Sequence, residues 1–178
     1  LNKGIKMASG EIIGILHSDD LYFNEKVIET IVKAMTERNA DVAWGDLVYV
    51  DREDTAASVR FWKSSEYKEG NFRKGWMPPH PTFFARRKIF EKYGAYNLDF
   101  KLAADYELML RFLERYKVKS CYIPEVFMKM RTGGVSDRGI KNIKTIIQSN
   151  LNSYRAWKAN GLKINPLVIL IIKPLSKA

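Results

Sequence analysis

Residues Glu11 to Leu16 (EIIGIL) form a short β-branched apolar run that meets His17, Ser18 and two adjacent carboxylates, Asp19 and Asp20. A run this short and this apolar suits a strand buried on both faces, as in a parallel sheet. The acids then fall at the strand's C-terminal end. In open α/β sheets that end borders the crevice where ligands bind. Two like charges side by side repel unless something offsets them. A hard divalent cation such as Mg²⁺ or Mn²⁺ does so while also gripping phosphate oxygens; the alternative is that Ser18 and Asp20 only turn the chain into the next helix.

The rest of the chain alternates helix and strand patterns. Leu1 to Ser9 reads as a helix stopped at Gly10. Asn24 is placed to cap a helix through about Arg38, with Val27, Ile28, Ile31, Val32 and Met35 as one apolar stripe. Asp41 to Asp51 and Ala57 to Lys63 flank the turn-rich DREDT and predict a hairpin. Ser64 to Gly75 reads as a surface loop, and Trp76 to Pro81 (WMPPHP) is too rich in proline for regular structure. Thr82 to Ala85 predicts a short strand, and Arg86 to Tyr93 a short helix closed by Gly94. Ala103 to Tyr116 is the clearest helix, carrying Leu108, Met109, Phe112 and Leu113 on one face. Val118 to Ile123 and Val126 to Met130 read as strands on either side of Pro124. Arg131 to Ser136 reads as a loop, and Asp137 to Asn160 as a long amphipathic helix ended by Gly161. This order predicts an α/β fold with one main sheet.

Composition narrows the partners. The chain has 178 residues and is 46% hydrophobic, enough for one core. Thirty Lys plus Arg against twenty Asp plus Glu give a formal charge of +10, which favours an anionic partner: nucleic acid, a phosphorylated small molecule or an acidic membrane surface. The lone Cys121 excludes an internal disulfide and fits a reducing compartment as a buried apolar residue. The longest apolar run, Pro166 to Ile172, falls well short of the ~20 residues of a membrane span. The tail from Leu162 to Ala178 mixes that block with lysines, so it is expected either to lie on a membrane surface or to pack on the domain.

Several side chains outside the acidic pair are candidates for chemistry. Asp105, in the first turn of the AADYELMLR helix, is either a helix-dipole partner or a general base. Glu107 points elsewhere on that helix and is the weaker candidate. His80, held between prolines, is open as metal ligand, phosphate contact or acceptor contact, and His17 either touches nucleotide or metal or ends the strand. Two histidines exclude a His-rich zinc centre. MRTGGVS offers Arg131, backbone N–H groups and Ser136 as a diphosphate cradle. There is no P-loop, no dinucleotide Gly-x-Gly-x-x-Gly and no Gly-x-Ser-x-Gly elbow.

Taken together, LNKGIKMASGEIIGILHSDD, GWMPPHPTFF, FKLAADYELMLR and MRTGGVS resemble, in order and over nearly the whole chain, the family 2 glycosyltransferases of the GT-A fold. The resemblance is greatest to the branch that makes bacterial surface polysaccharides. It implies an inverting, metal-dependent enzyme that moves a sugar from a nucleoside-diphosphate sugar to a hydroxyl of a saccharide or lipid-linked saccharide. Asp19 then matches the last acid of the family's Asp-x-Asp motif and is the expected ligand of Mn²⁺ or Mg²⁺, while His17 stands where the first acid is usual. Asp105 matches the Asp of the family's Glu-Asp motif, the expected base, with Ala104 in place of the Glu. His17, Asp20, Arg131 and Ser136 are expected on the nucleotide-sugar side, and Trp76 and His80 on the acceptor side.

The resemblance also implies that residues 1–161 are the metal- and acceptor-binding part of a GT-A domain, with a mixed sheet flanked by helices and the first N-terminal strands missing. Such a part is expected to be inactive alone. The expected location is cytoplasmic, with contact to the inner face of the plasma membrane left open. Two other classes stand beside the enzyme: a basic nucleic-acid-binding module, which requires Lys and Arg clustered with exposed aromatics rather than scattered as here, and a membrane-associated scaffold without activity, which the intact Asp19 and Asp105 oppose.

Overall fold

The computed structural model describes residues 1–100, 103–132 and 143–165. Its centre is a six-stranded mixed sheet: β1 (Ile12–Ile13), β2 (Asp20–Tyr22), β3 (Val42–Val50), β4 (Ser58–Trp62), β5 (Phe84–Arg86) and β6 (Ser120–Arg131). The order is β1-β5-β3-β6-β2, with β4 paired to β3. β3 and β6 run parallel, and every other pairing is antiparallel. The hairpin of β3 and β4 is as the sequence predicts, with Leu47 opposite Trp62.

Helices cover both faces. On one, α2 (Val27–Glu37) buries Val27, Ile31 and Met35 against Ala43, Leu47, Phe127 and Met128. Ile28 and Val32, expected in that stripe, are each 44% exposed, because a single helix on this face needs only a narrow seam. Asn24 does not cap the helix either: its Oδ1 accepts the Lys26 N–H at 2.9 Å in a turn before it. The other face carries the larger core. There α3 (Arg87–Tyr93), α4 (Ala104–Leu110) and α5 (Ile143–Ala159) pack Phe90, Leu110, Phe112, Leu113 and Trp157 around Val42 and Trp44. A short α1 (Asn2–Met7) adds Ile5 to that core. The helix predicted through Tyr116 is continuous, but its last turn, Arg111–Arg115, is a π-helix.

Three strand expectations change. EIIGIL gives only Ile12–Ile13, and that pair is antiparallel to β5, not part of a parallel sheet. A Cβ at Gly14 would lie 2.1 Å from Cε1 of Phe84, so the chain leaves the sheet by crossing that ring, a path open only to glycine. Asp20, read as a helix-entry residue, instead opens β2 opposite Met130, and the helix begins seven residues later at Val27. Pro124 does not split two strands. β6 runs through it, and the register slips between Trp44 and Leu47, which absorbs the extra residues as a bulge. Gly45 faces that bulge, where a Cβ would come within 2.6 Å of the Glu125 carbonyl.

Cys121 is buried as expected, and burial pushes its thiol up from the ordinary value. The Gly-Gly loop with Ser136, the start of the helix expected from Asp137, and the apolar tail lie outside the described residues.

Candidate active site

From Gly14 the chain runs irregularly to a tight turn in which the Asp20 N–H donates to the His17 carbonyl at 3.1 Å. Asp19 sits exposed on this turn, and its Oδ1 accepts the Ser18 hydroxyl at 3.0 Å. Asp20 is buried; desolvation raises its carboxyl above the ordinary value, the His17 charge opposes this, and Asp19 adds to it. The turn points His17 inward. Its ring meets the edge of the His80 ring, with centroids 5.6 Å apart and planes at 72°.

His80 begins a 3-10 turn, His80–Thr82, anchored by the buried Thr82 hydroxyl, which lies 2.9 Å from the carbonyls of both Gly45 and Pro79. The proline-rich segment thus clamps His80 onto the central strand. His80 Nδ1 lies 3.4 Å from Asp105 Oδ2, and both side chains are about one-third exposed. Burial holds the His80 imidazole below its ordinary value; Asp105 pulls it up and His17 pushes it further down. Asp105 occupies the first turn of α4, whose Leu108, Met109 and Leu110 are locked in the core. His17, His80 and Asp105 therefore form one line of contacts from the Asp19 turn to the α4 N-terminus.

Arg131 lies on the strand beside the acidic turn. It ends β6 opposite Val50 and follows Met130, the partner of Asp20. Its Nε is buried with no hydrogen-bond partner among the described residues. Trp76 packs half-buried against Trp44, Tyr67 and Phe72, at centroid distances of 5.9, 5.9 and 5.6 Å.

Four residues that the sequence reading did not select complete the surroundings. Tyr96 faces Asp105; burial, then the Asp105 charge, push its phenol up to about 12, so it stays a donor at neutral pH. Its backbone is gripped on both sides by the Asn2 amide, at 2.8 and 3.0 Å. The third is Glu107. Set aside as pointing elsewhere, it is buried, accepting Arg111 Nη2 at 3.1 Å and Asn160 Nδ2 at 2.9 Å. Arg111 in turn donates to the Tyr93 and Ala95 carbonyls at 2.5 and 2.6 Å, fixing the segment that presents Tyr96. No local pattern marks Tyr96 or Asn2, which meet across 94 positions of chain. Glu107 and Arg111 stand at i, i+4 spacing, the one signal available.

Among the described residues no three His, Cys, Asp or Glu side chains converge as a metal cage. The Asp19 carboxylate is exposed and stands as a single acid on its turn, so a cation held there would need most of its oxygens from elsewhere, as Mg²⁺ does with phosphates and water.

Fold and site together define a GT-A glycosyltransferase scaffold. Residues 1–94 match the model for Glycosyl transferase family 2, and the chain belongs to that family. It is 31% identical over 116 residues to an uncharacterized glycosyltransferase of Mycobacterium tuberculosis, covering 62% of this chain and 42% of the relative. It is 23% identical over 138 residues to the PGL/p-HBAD biosynthesis glycosyltransferase of Mycobacterium bovis, covering 77% and 52%. The chain thus spans about half the length of these curated relatives. Among solved structures, S. aureus TarS 1-349 in complex with UDP-GlcNAc superposes with a TM-score of 0.58 at 13% identity, over 97% of this chain and 49% of that one. The TarS 1-349 structure gives 0.57 at 14% identity.

Proposed function

We propose that this chain carries the metal side and the base side of an inverting glycosyl transfer from a nucleoside-diphosphate sugar to a hydroxyl acceptor, in the synthesis of a surface saccharide. The observation that carries the reading is the continuous contact from the Asp19 turn through His17 and His80 to Asp105. It brings an acid suited to a metal diphosphate and an acid suited to proton removal to the two ends of one short span.

Asp105 takes the proton from the acceptor hydroxyl as its oxygen attacks the anomeric carbon. The new glycosidic C–O bond forms on the face opposite the breaking bond to the diphosphate, so the configuration inverts. Asp19 would hold a Mn²⁺ or Mg²⁺ ion, which would supply positive charge against the negative charge of the departing nucleoside diphosphate. Arg131 donates to the diphosphate through the side chain whose Nε is otherwise unmatched. His17 and Asp20 shape the donor pocket around that turn, and His80 and Tyr96 border the acceptor side.

The relative named for PGL/p-HBAD biosynthesis supports a biosynthetic role for the transfer, and the TarS complex makes UDP-sugars the first donors to test. The excess of positive charge suits an anionic lipid-linked acceptor at the inner face of the plasma membrane. No helix among the described residues is long and apolar enough to cross a membrane. The nucleic-acid reading finds no support in the comparisons.

The test is nucleoside-diphosphate release by the full natural polypeptide with UDP-sugars and Mn²⁺ or Mg²⁺. Wild type is expected to turn over, Asp105→Asn to lose at least about 100-fold in kcat, and Asp19→Ala to lose its metal response. Full activity in Asp105→Asn rules out the assigned base.

A further inference from the structure

We propose that His80 is a positioning residue for Asp105, donating from Nδ1 to Oδ2 so that the carboxylate presents its other oxygen to the acceptor hydroxyl. This rests on the reading of Asp105 as the base. Among the described residues His80 Nδ1, 3.4 Å away and not in hydrogen-bond alignment, is the one polar side chain set against the Asp105 carboxylate, so without it that carboxylate is free to rotate about χ1 and χ2. His80, by contrast, is over-determined. Prolines 79 and 81 flank it, the Thr82 hydroxyl ties the turn to Gly45, and the His17 ring abuts its edge. Its backbone is locked and its ring is held, which is what an orienting group requires.

The chemistry agrees. Burial favours the neutral imidazole at physiological pH, and a neutral ring that donates from Nδ1 has no second proton to compete for the carboxylate. The 3.4 Å separation is long for a hydrogen bond, as such bonds often are before substrate closes the site. Proline, histidine and threonine in HPT thus act together: the flanking residues fix the turn, and the turn aims the ring at α4.

The experiment compares His80→Asn, whose amide nitrogen falls near the position of Nδ1, with His80→Gln, whose amide reaches the Nε2 position, and with His80→Leu. Each is assayed in the full natural polypeptide with UDP-sugar and acceptor, alongside wild type and Asp105→Asn. His80→Gln and His80→Leu are expected to lose about 10- to 100-fold in kcat, the usual cost of removing an orienting partner, with donor KM within about twofold. His80→Asn is expected to recover most of that loss. Equal rates in His80→Asn and His80→Gln would overturn the proposal, as would a raised acceptor KM with kcat unchanged in all three, which assigns His80 to acceptor binding. The Asn-to-Gln comparison stands even where His80→Leu fails to fold. Failure of the underlying reading looks different: Asp105→Asn is then as active as wild type, whatever the His80 variants do.

Discussion

The buried Glu107–Arg111 pair links the core to the rim of the site, and removing one partner tests that link. The two side chains are 3% and 12% exposed. Glu107→Ala leaves the guanidinium bonded to two carbonyls but with no countercharge in a nearly dry setting, and it removes one of the two acceptors of the Asn160 amide. Breaking a buried pair from one side costs about 3–5 kcal/mol. At about 2–4 °C per kcal/mol for a chain of this size, the melting temperature should fall by roughly 6–20 °C. Arg111→Met should fall comparably, since it strands Glu107 and the Tyr93 and Ala95 carbonyls together. The double variant Glu107→Ala/Arg111→Met removes both charges and should regain part of the loss. Thermal and urea unfolding of the four proteins closes the cycle. Losses that simply add, or a Glu107→Ala protein within about 1 kcal/mol of wild type, would refute the claim that the pair is a buried mutual dependence.

Other perturbations follow from the same contacts. Desolvation raises the Asp20 carboxyl, so its ionisation costs stability once pH rises through the raised value; Asp20→Asn should therefore melt higher than wild type near pH 7, and a lower melting temperature would show that the carboxylate makes a needed contact. His80, faced by Asp105 and His17, is held below its ordinary value, so an unfolded chain binds the proton first; stability should drop as pH falls through about 6.5, and the drop should shrink in His80→Asn. Gly14→Ala drives a methyl into the Phe84 ring and should cost about 1–3 kcal/mol, with Phe84→Leu in the same chain restoring part of it; no loss would mean that the 14–19 segment is free to move off β5.

The fold was legible where period and punctuation agreed. The β3–β4 hairpin announces itself by two β-branched runs around DREDT, and α3 by its closing Gly94. The errors share one cause: local patterns do not say which partner a segment will meet. Nothing in EIIGIL distinguishes a parallel strand from two residues of antiparallel pairing beside a glycine that must clear Phe84. Pro124 is a strand breaker by rule, yet the glycine that accommodates its bulge is Gly45, on a strand 79 positions away. Ile28 and Val32 fit a wide helical stripe, yet among the described residues α2 is the one helix packed on that sheet face, and both side chains stay in solvent.

The site divides along the same line. His17, Asp19, His80 and Asp105 were nameable from residue type and setting, because reactive groups next to prolines, strand ends and helix starts are visible locally. Their meeting was not, since it depends on a turn that folds His17 back toward a proline-clamped ring. That turn also gives His17 a physical role where an acid is usual in the family. A carboxylate there would stand near Asp20, already raised by desolvation and by Asp19, and would deepen the repulsion. An imidazole carries no such charge when neutral, its positive form stabilises Asp20, and its apolar edge packs on His80. His17→Asp should therefore do two things at once: raise the pH below which Asp20 stays protonated, and withdraw the contact that steadies His80. If the acid is merely interchangeable with His17, His17→Asp will bind Mn²⁺ at least as tightly as wild type and keep its melting temperature. The expected outcome is that the variant melts lower at neutral pH and that its transfer rate falls even at saturating metal.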